Sequence, residues 1–242
     1  MDLSVANLTL AVVSREVKLD GVSLGIQRRG RLPGRPVLLA PPFRVASDLD
    51  APVLTLQTIQ TPAAYDVLQR DGILAGDPAL GDADFAEAYD WMRRQMAARL
   101  PSSGDGILWL WAKTTYRDLV GNARHARGEV LLTVRVRRER VLLSHFGDWH
   151  TVLNRGLNVP LLPGETFEEW SPRFNALYDE WCVRAGAHHD LPIAAWPPFL
   201  RAELEASWES IFDLNNREEP LYVQATVHAL RASEVVRAVR IM

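Results

Sequence analysis

The sequence predicts an α+β fold: a single mixed domain with a central, mostly antiparallel sheet and several packed helices. Three observations carry that prediction. Apolar residues recur at three- and four-residue intervals through 85–100 and again through 167–184, the period of a helix with one apolar side. Val130, Leu132, Val134 and Val136 alternate with Leu131, Thr133 and Arg135, the period of a strand with one buried face. Helical and strand segments follow one another irregularly rather than as repeated βαβ units, so a regular parallel sheet is disfavoured.

Residues 1–52 read as a strand-and-loop extension. Short β-rich runs at 8–13 and 37–39 flank a Gly/Arg/Pro stretch at 25–36 that interrupts regular structure. The main α+β domain is assigned to 53–242. It opens with a strand through Val53, Leu54, Leu56 and Ile59, and Thr61-Pro62 then starts a helix with a hydroxyl cap and a proline in its first turn. Asp71-Gly72 ends that helix, and Ile73-Leu74 returns to the core. Asp84 and Glu87 have the spacing of a capping box ahead of the stripe Phe85, Ala88, Tyr89, Met92, Met96 and Leu100. A strand at 107–111, a hairpin or strand pair spanning 130–143 and a short helix at 146–154 follow. Helices at 167–184 and 200–212 precede closing strands at 222–230 and 235–241.

Composition narrows the function classes. The 242 residues are 48% hydrophobic and 24% charged, ordinary values for a globular protein. With 27 basic and 30 acidic residues the net charge is −3, which gives no overall field for nucleic acid or a membrane surface. The stretch 112–140 is locally basic, however, and Arg135, Arg137 and Arg138 form its candidate nucleic-acid contact. One cysteine, Cys182, excludes an internal disulfide and any site of paired thiolates. No apolar run reaches the roughly 20 residues of a membrane helix, and the start of the chain lacks a secretory pattern, so the expected location is cytoplasmic with no membrane partner.

No phosphate-binding glycine loop, zinc-protease helix, nucleophile elbow or calcium loop occurs. His188, His189 and Asp190, or His145 with His150, are poorly spaced for a shared metal, and no metal site is expected. His150 and Asn154, four apart on a helix, either orient a ligand or flank a buried Trp149 in solvent. Glu205, Glu209 and Asp213 are either a solvated acidic face or carboxylates with tuned protonation. Trp109, Trp111, Lys113, Tyr116 and Arg117 combine aromatic surface with cations, as a nucleotide pocket or as core packing with solvated charges. Gln224, Thr226 and His228 form a polar row on one side of a strand, suited to an edge or to a cleft wall.

The segments LTLQTIQTPAAYDVLQRDGIL (54–74), FAEAYDWMRRQMAARL (85–100), ILWLWAK (107–113), RVLLSHFGDWHTVLN (140–154), SWESIFDL (207–214) and YVQATVHALRASEVVRAV (222–239) together are similar to the bacterial family DUF3841 over about 54–240. The opening strand, helix and GIL turn also resemble, more distantly, the start of ADP-ribosyltransferase folds. That resemblance implies a divergent NAD- or nucleotide-binding transferase or hydrolase. Gln57 or Gln60 would hold NAD, Trp109, Trp111, Lys113 and Arg117 would line the pocket, and Gln224, His228 and Glu209 are the candidate catalytic groups. Such enzymes place a glutamate on the later strand, where this chain has Gln224, Thr226 and His228. The alternative is a non-catalytic nucleic-acid-binding or regulatory protein using the same aromatic and basic surface.

Overall fold

Period-two segments become the strands of one sheet. The computed structural model describes residues 24–27, 44–115, 118–119, 128–214 and 222–241. In chain order the strands are β1 (Leu24–Gln27), β2 (Arg44–Ala46), β3 (Val53–Gln60), β4 (Ile73–Ala75), β5 (Leu108–Thr115), β6 (Val130–Arg137), β7 (Leu142–His145), β8 (Val223–Val227), β9 (Ala229–Arg231) and β10 (Val235–Ile241). The main sheet runs β1-β10-β6-β3-β5-β8-β7, with β2 also pairing to β5, while β4 and β9 form a separate pair. Every one of these pairings is antiparallel. The fold is thus a single α+β domain. The extension contributes β1 and β2 to its sheet; its candidate strands at 8–13 and 37–39 lie outside the described residues.

The two faces of the sheet have different chemistry. Alternation sends Leu54, Leu56, Leu110, Leu132, Val134, Val136 and Ala225 to one face, where they meet Leu68, Leu74 and Leu230. Leu68 comes from helix α1 (Pro62–Asp71). The Thr61 hydroxyl accepts from the Ala64 amide at 3.1 Å, and Gly72 closes the helix at φ 76°, a conformation that favours glycine.

The opposite face carries the helical layer over its β5-β8-β7 side. Helices α2 (Ala86–Arg99), α3 (Phe146–Leu153), α4 (Phe167–Ala185) and α5 (Pro198–Trp208) bury Trp91, Met92, Met96, Trp149, Trp181, Leu204 and Trp208 against Leu142 and Trp109. Trp91 meets Trp208 edge-on at 5.4 Å and stacks on Phe212 at 5.6 Å. Among the described residues no helix is long and apolar enough to cross a membrane.

Three local expectations are corrected. The capping box at Asp84 and Glu87 does not form. α2 begins at Ala86 without a side-chain cap, because Glu87 instead accepts from the Ile193 amide at 2.7 Å and pairs with Arg155 at 3.0 Å. The helix expected over 200–212 is α-helical only to Trp208 and tightens to a 3₁₀ turn at Glu209–Phe212. The strand expected over 222–230 breaks at His228, so β8 and β9 join different sheets. The break lies where two other segments cross: a Cβ on Gly104 would lie 2.8 Å from His228 Cβ, and one on Gly106 would lie 1.9 Å from the Gly76 carbonyl oxygen. Only glycine permits so close an approach.

Candidate functional site

Residues directly opposite in an antiparallel ladder project from the same face. The register aligns Arg237 of β10 with Thr133 of β6, Thr133 with Gln57 of β3, Gln57 with Trp111 of β5, Trp111 with Gln224 of β8, and Gln224 with Ser144 of β7. One row of mostly polar side chains therefore crosses six strands, on the face opposite the leucine and valine core. At about 4.8 Å per strand it extends for about 24 Å.

Three of the row's six members are deeply buried, the other three are partly buried, and the row is incompletely bonded. Gln57, Gln224 and Ser144 are 6%, 5% and 1% exposed. Gln57 Oε1, Gln224 Nε2, Ser144 Oγ and Arg237 Nε are buried with no hydrogen-bond partner. Each such group costs about 1–3 kcal/mol relative to its solvated state unless something else bonds it. Four in a single register row concentrate hydrogen-bonding capacity where the fold does not use it.

Aromatic rings close one end. Phe146, the first residue of α3, packs edge-on to Trp111 at 4.8 Å, His150 packs edge-on to Phe146 at 4.5 Å, and Tyr222 lies 6.5 Å from Phe146. Tyr222 donates its hydroxyl to Asp118 at 2.7 Å. Burial, reinforced by that bond, raises the phenol above its ordinary value and keeps it a neutral donor. His145 caps α3 by accepting from the Asp148 amide at 3.1 Å.

The predicted residues divide among several places. Gln57, Trp111 and Gln224 come together in the row. Gln60 projects to the other side of β3 and donates to the Thr58 hydroxyl at 2.9 Å, which itself donates to the Trp109 carbonyl. Trp109 packs against Trp149 at 5.0 Å and Tyr89 at 6.3 Å, within the helical layer. Thr226 donates to the Leu142 carbonyl at 3.4 Å. His228 lies at the far end of β8, where its Nδ1 donates to the Gly106 carbonyl at 3.2 Å. Arg117 and Tyr116 lie outside the described residues. The carboxylate of Glu209 is engaged by Arg99, and Glu205 pairs with Arg94 and Arg201. Among the described residues no group of three or more His, Cys, Asp or Glu is placed to hold a metal.

The basic segment divides similarly. Arg138 donates to the carbonyls of Leu49 at 3.2 Å and Val141 at 2.9 Å, a structural role in the turn between β6 and β7. Arg135 and Arg137 are exposed on the face of the polar row, with Arg137 3.6 Å from Glu139. Lys113 lines a separate cavity of about 820 Å³ with Arg99, Arg138, Leu142, Leu143 and Phe212. Arg99 and Arg138 are already bonded within the protein, and the cavity contains none of Gln57, Trp111, Gln224 or Ser144. The unsatisfied row is therefore the better candidate site.

Sequence reasoning missed Ser144, Thr133 and Arg237, whereas His150 was among its candidates, paired with Asn154. Ser144 had a local signal, a small polar residue closing the apolar run Val141-Leu142-Leu143, and Arg237 had another, a cation inside Val235-Val236-Arg237-Ala238-Val239. Their alignment with Gln57 and Gln224 depends on long-range pairing. No curated protein and no solved structure matches the chain. A family model described as a domain of unknown function, DUF3841, matches residues 55–236, a span that includes Gln57, Trp111, Thr133, Ser144 and Gln224. On that match over well more than half its length, the chain belongs to the DUF3841 family.

Proposed function

We propose that the protein binds a nucleotide-like ligand across the polar row, with NAD the first compound to test. The supporting observation is the register row itself, with Gln57 Oε1 and Gln224 Nε2 buried and unpartnered on either side of Trp111. Those two atoms are an acceptor and a donor, complementary to the mixed edge of a carboxamide or a base. Arg237 and the exposed Arg135 supply positive charge along the same face for phosphate groups.

The reaction class in this reading is a divergent transferase or hydrolase acting at the nucleotide. Glu209 does not serve it well, because Arg99 holds its carboxylate at the surface of the helical layer. Binding is accordingly the firmer part of the proposal. Calorimetric titration with NAD, followed by assay of the same mixture for released nicotinamide, tests both parts. Saturable binding that Gln57→Ala and Gln224→Ala each weaken about tenfold, the loss of one to two net hydrogen bonds, supports the site. Absence of binding removes NAD, and binding unaffected by both substitutions removes the row. Released nicotinamide supports turnover, whereas binding without release supports a regulatory role.

The exposure of Arg135 and Arg137 favours a second reading, a nucleic-acid surface on the same face. Binding of single-stranded nucleic acid with a steep salt dependence, shallower in an Arg135→Gln, Arg137→Gln double variant, supports that alternative.

A further inference from the structure

We infer that His150 is a further ligand contact of the polar row, an acceptor held in one tautomer that takes an N–H or O–H from the ligand's base or carboxamide. The inference rests on the ligand-binding reading above and identifies the ligand group that binds at this end of the site.

His150 is linked to the row through one shared neighbour, Phe146, which packs on both Trp111 and the His150 ring. Ser144, the row's last member, is followed by His145 and then directly by α3, which Phe146 opens. No loop intervenes between β7 and α3 to loosen that placement. Asn154 donates from its side chain to the His150 carbonyl at 2.7 Å and fixes the end of the same helix.

The hydrogen bonding sets the ring's proton. His150 Nδ1 lies 2.9 Å from the Phe146 carbonyl oxygen. A carbonyl oxygen only accepts, so Nδ1 carries the hydrogen and Nε2 of the neutral ring is left with a bare lone pair. Nε2 is buried and has no partner. Burial also lowers the imidazole's pKa, with the Phe146 bond opposing it, which supports the neutral ring.

The unmet capacity of the site now has a pattern. Gln57 Oε1 and His150 Nε2 need donors, Gln224 Nε2 needs an acceptor, and Ser144 Oγ serves as either. A phosphate dianion or a carboxylate only accepts and cannot satisfy the first two. A carboxamide or an amino-bearing base presents both kinds of group, which places that part of the ligand near Trp111 and Phe146 and any phosphate toward Arg237.

Long-range ¹⁵N–¹H correlation of the histidine rings in the full chain tests this, with the His150→Phe spectrum identifying the His150 signals. Nicotinamide, adenosine and inorganic phosphate are the probes. The expected result is an Nδ1–H tautomer for His150 whose Nε2 resonance moves with nicotinamide or adenosine and not with phosphate. His150→Phe keeps an aromatic ring on Phe146 and is expected to weaken the effective probe about tenfold, the effect of losing one hydrogen bond. An Nε2–H tautomer in the free protein overturns the inference whatever binds. Movement of the Gln57 and Gln224 side-chain amides without His150 overturns it and leaves the binding site standing. Movement with phosphate alone overturns the proposed ligand group, and no movement with any probe overturns both the inference and the ligand reading.

Discussion

The two faces of the sheet are made by the same strands but solve opposite problems. On one, Leu54, Leu56, Leu132, Val134 and Val136 are each wholly buried, and apolar surface meets apolar surface. On the other, Gln57, Gln224 and Ser144 are almost as deeply buried, yet keep polar atoms without partners. A fold selected for stability alone would have no use for the second arrangement, since an apolar side chain of similar shape removes the desolvation cost. The first face is the scaffold, and the second holds hydrogen-bonding capacity in reserve.

That contrast is sharpest under truncation of the apolar face. Leu132→Ala should destabilise the protein by about 2–5 kcal/mol, through lost burial and the cavity left at the centre of β6. Urea unfolding measures it. A loss below about 1 kcal/mol would mean that the face repacks freely and is not the scaffold.

On the polar face the sign should reverse. Gln224→Met removes an unpartnered buried amide while keeping its approximate length, so stability should hold or rise by up to about 1 kcal/mol. Affinity for the ligand should fall at the same time. A variant that unfolds like a core truncation would show that Gln224 is bonded in the native state and would erase the difference between the faces.

What the sequence revealed follows the range of the interactions involved. α1 was legible at both ends because Thr61, Pro62 and Gly72 act within their own turn. β6 was legible because alternation is a local pattern. The start of α2 was not, since Glu87 is recruited by Ile193 and Arg155, far along the chain. The break at His228 was equally hidden, being set by Gly76, Gly104 and Gly106 crossing nearby. The same division runs through the site: Gln57, Trp111 and Gln224 stood out by residue type, whereas Ser144, Thr133 and Arg237 joined them only through pairings across six strands. Gln57 and Gln60 are equivalent in composition, and only the pleat separates the unpartnered amide from the one bonded to Thr58.

The charged margin of the polar face should contribute still less to stability. Replacing Arg135 and Arg137 with Gln should change unfolding free energy by no more than about 0.5 kcal/mol each, because both are exposed and the Arg137–Glu139 pair is open to solvent. A larger loss would show that these arginines hold the sheet together rather than face a ligand.

The smallest expected effect separates the faces by pH. The buried side chains of the apolar cluster are leucine, valine and alanine, whereas burial lowers the pKa of His150 from its ordinary value of 6.5. Below 6.5 the unfolded chain takes up a proton that the folded protein resists, so this contribution is complete above 6.5 and is lost as pH falls from there toward the folded value. Wild-type stability should therefore decline more steeply between neutral and mildly acidic pH than that of His150→Phe, as compared by urea unfolding at matched pH. If the two curves stay parallel, the imidazole titrates alike in both states. His150 would then be no more desolvated folded than unfolded, and the polar face would lose the group that distinguishes its aromatic end.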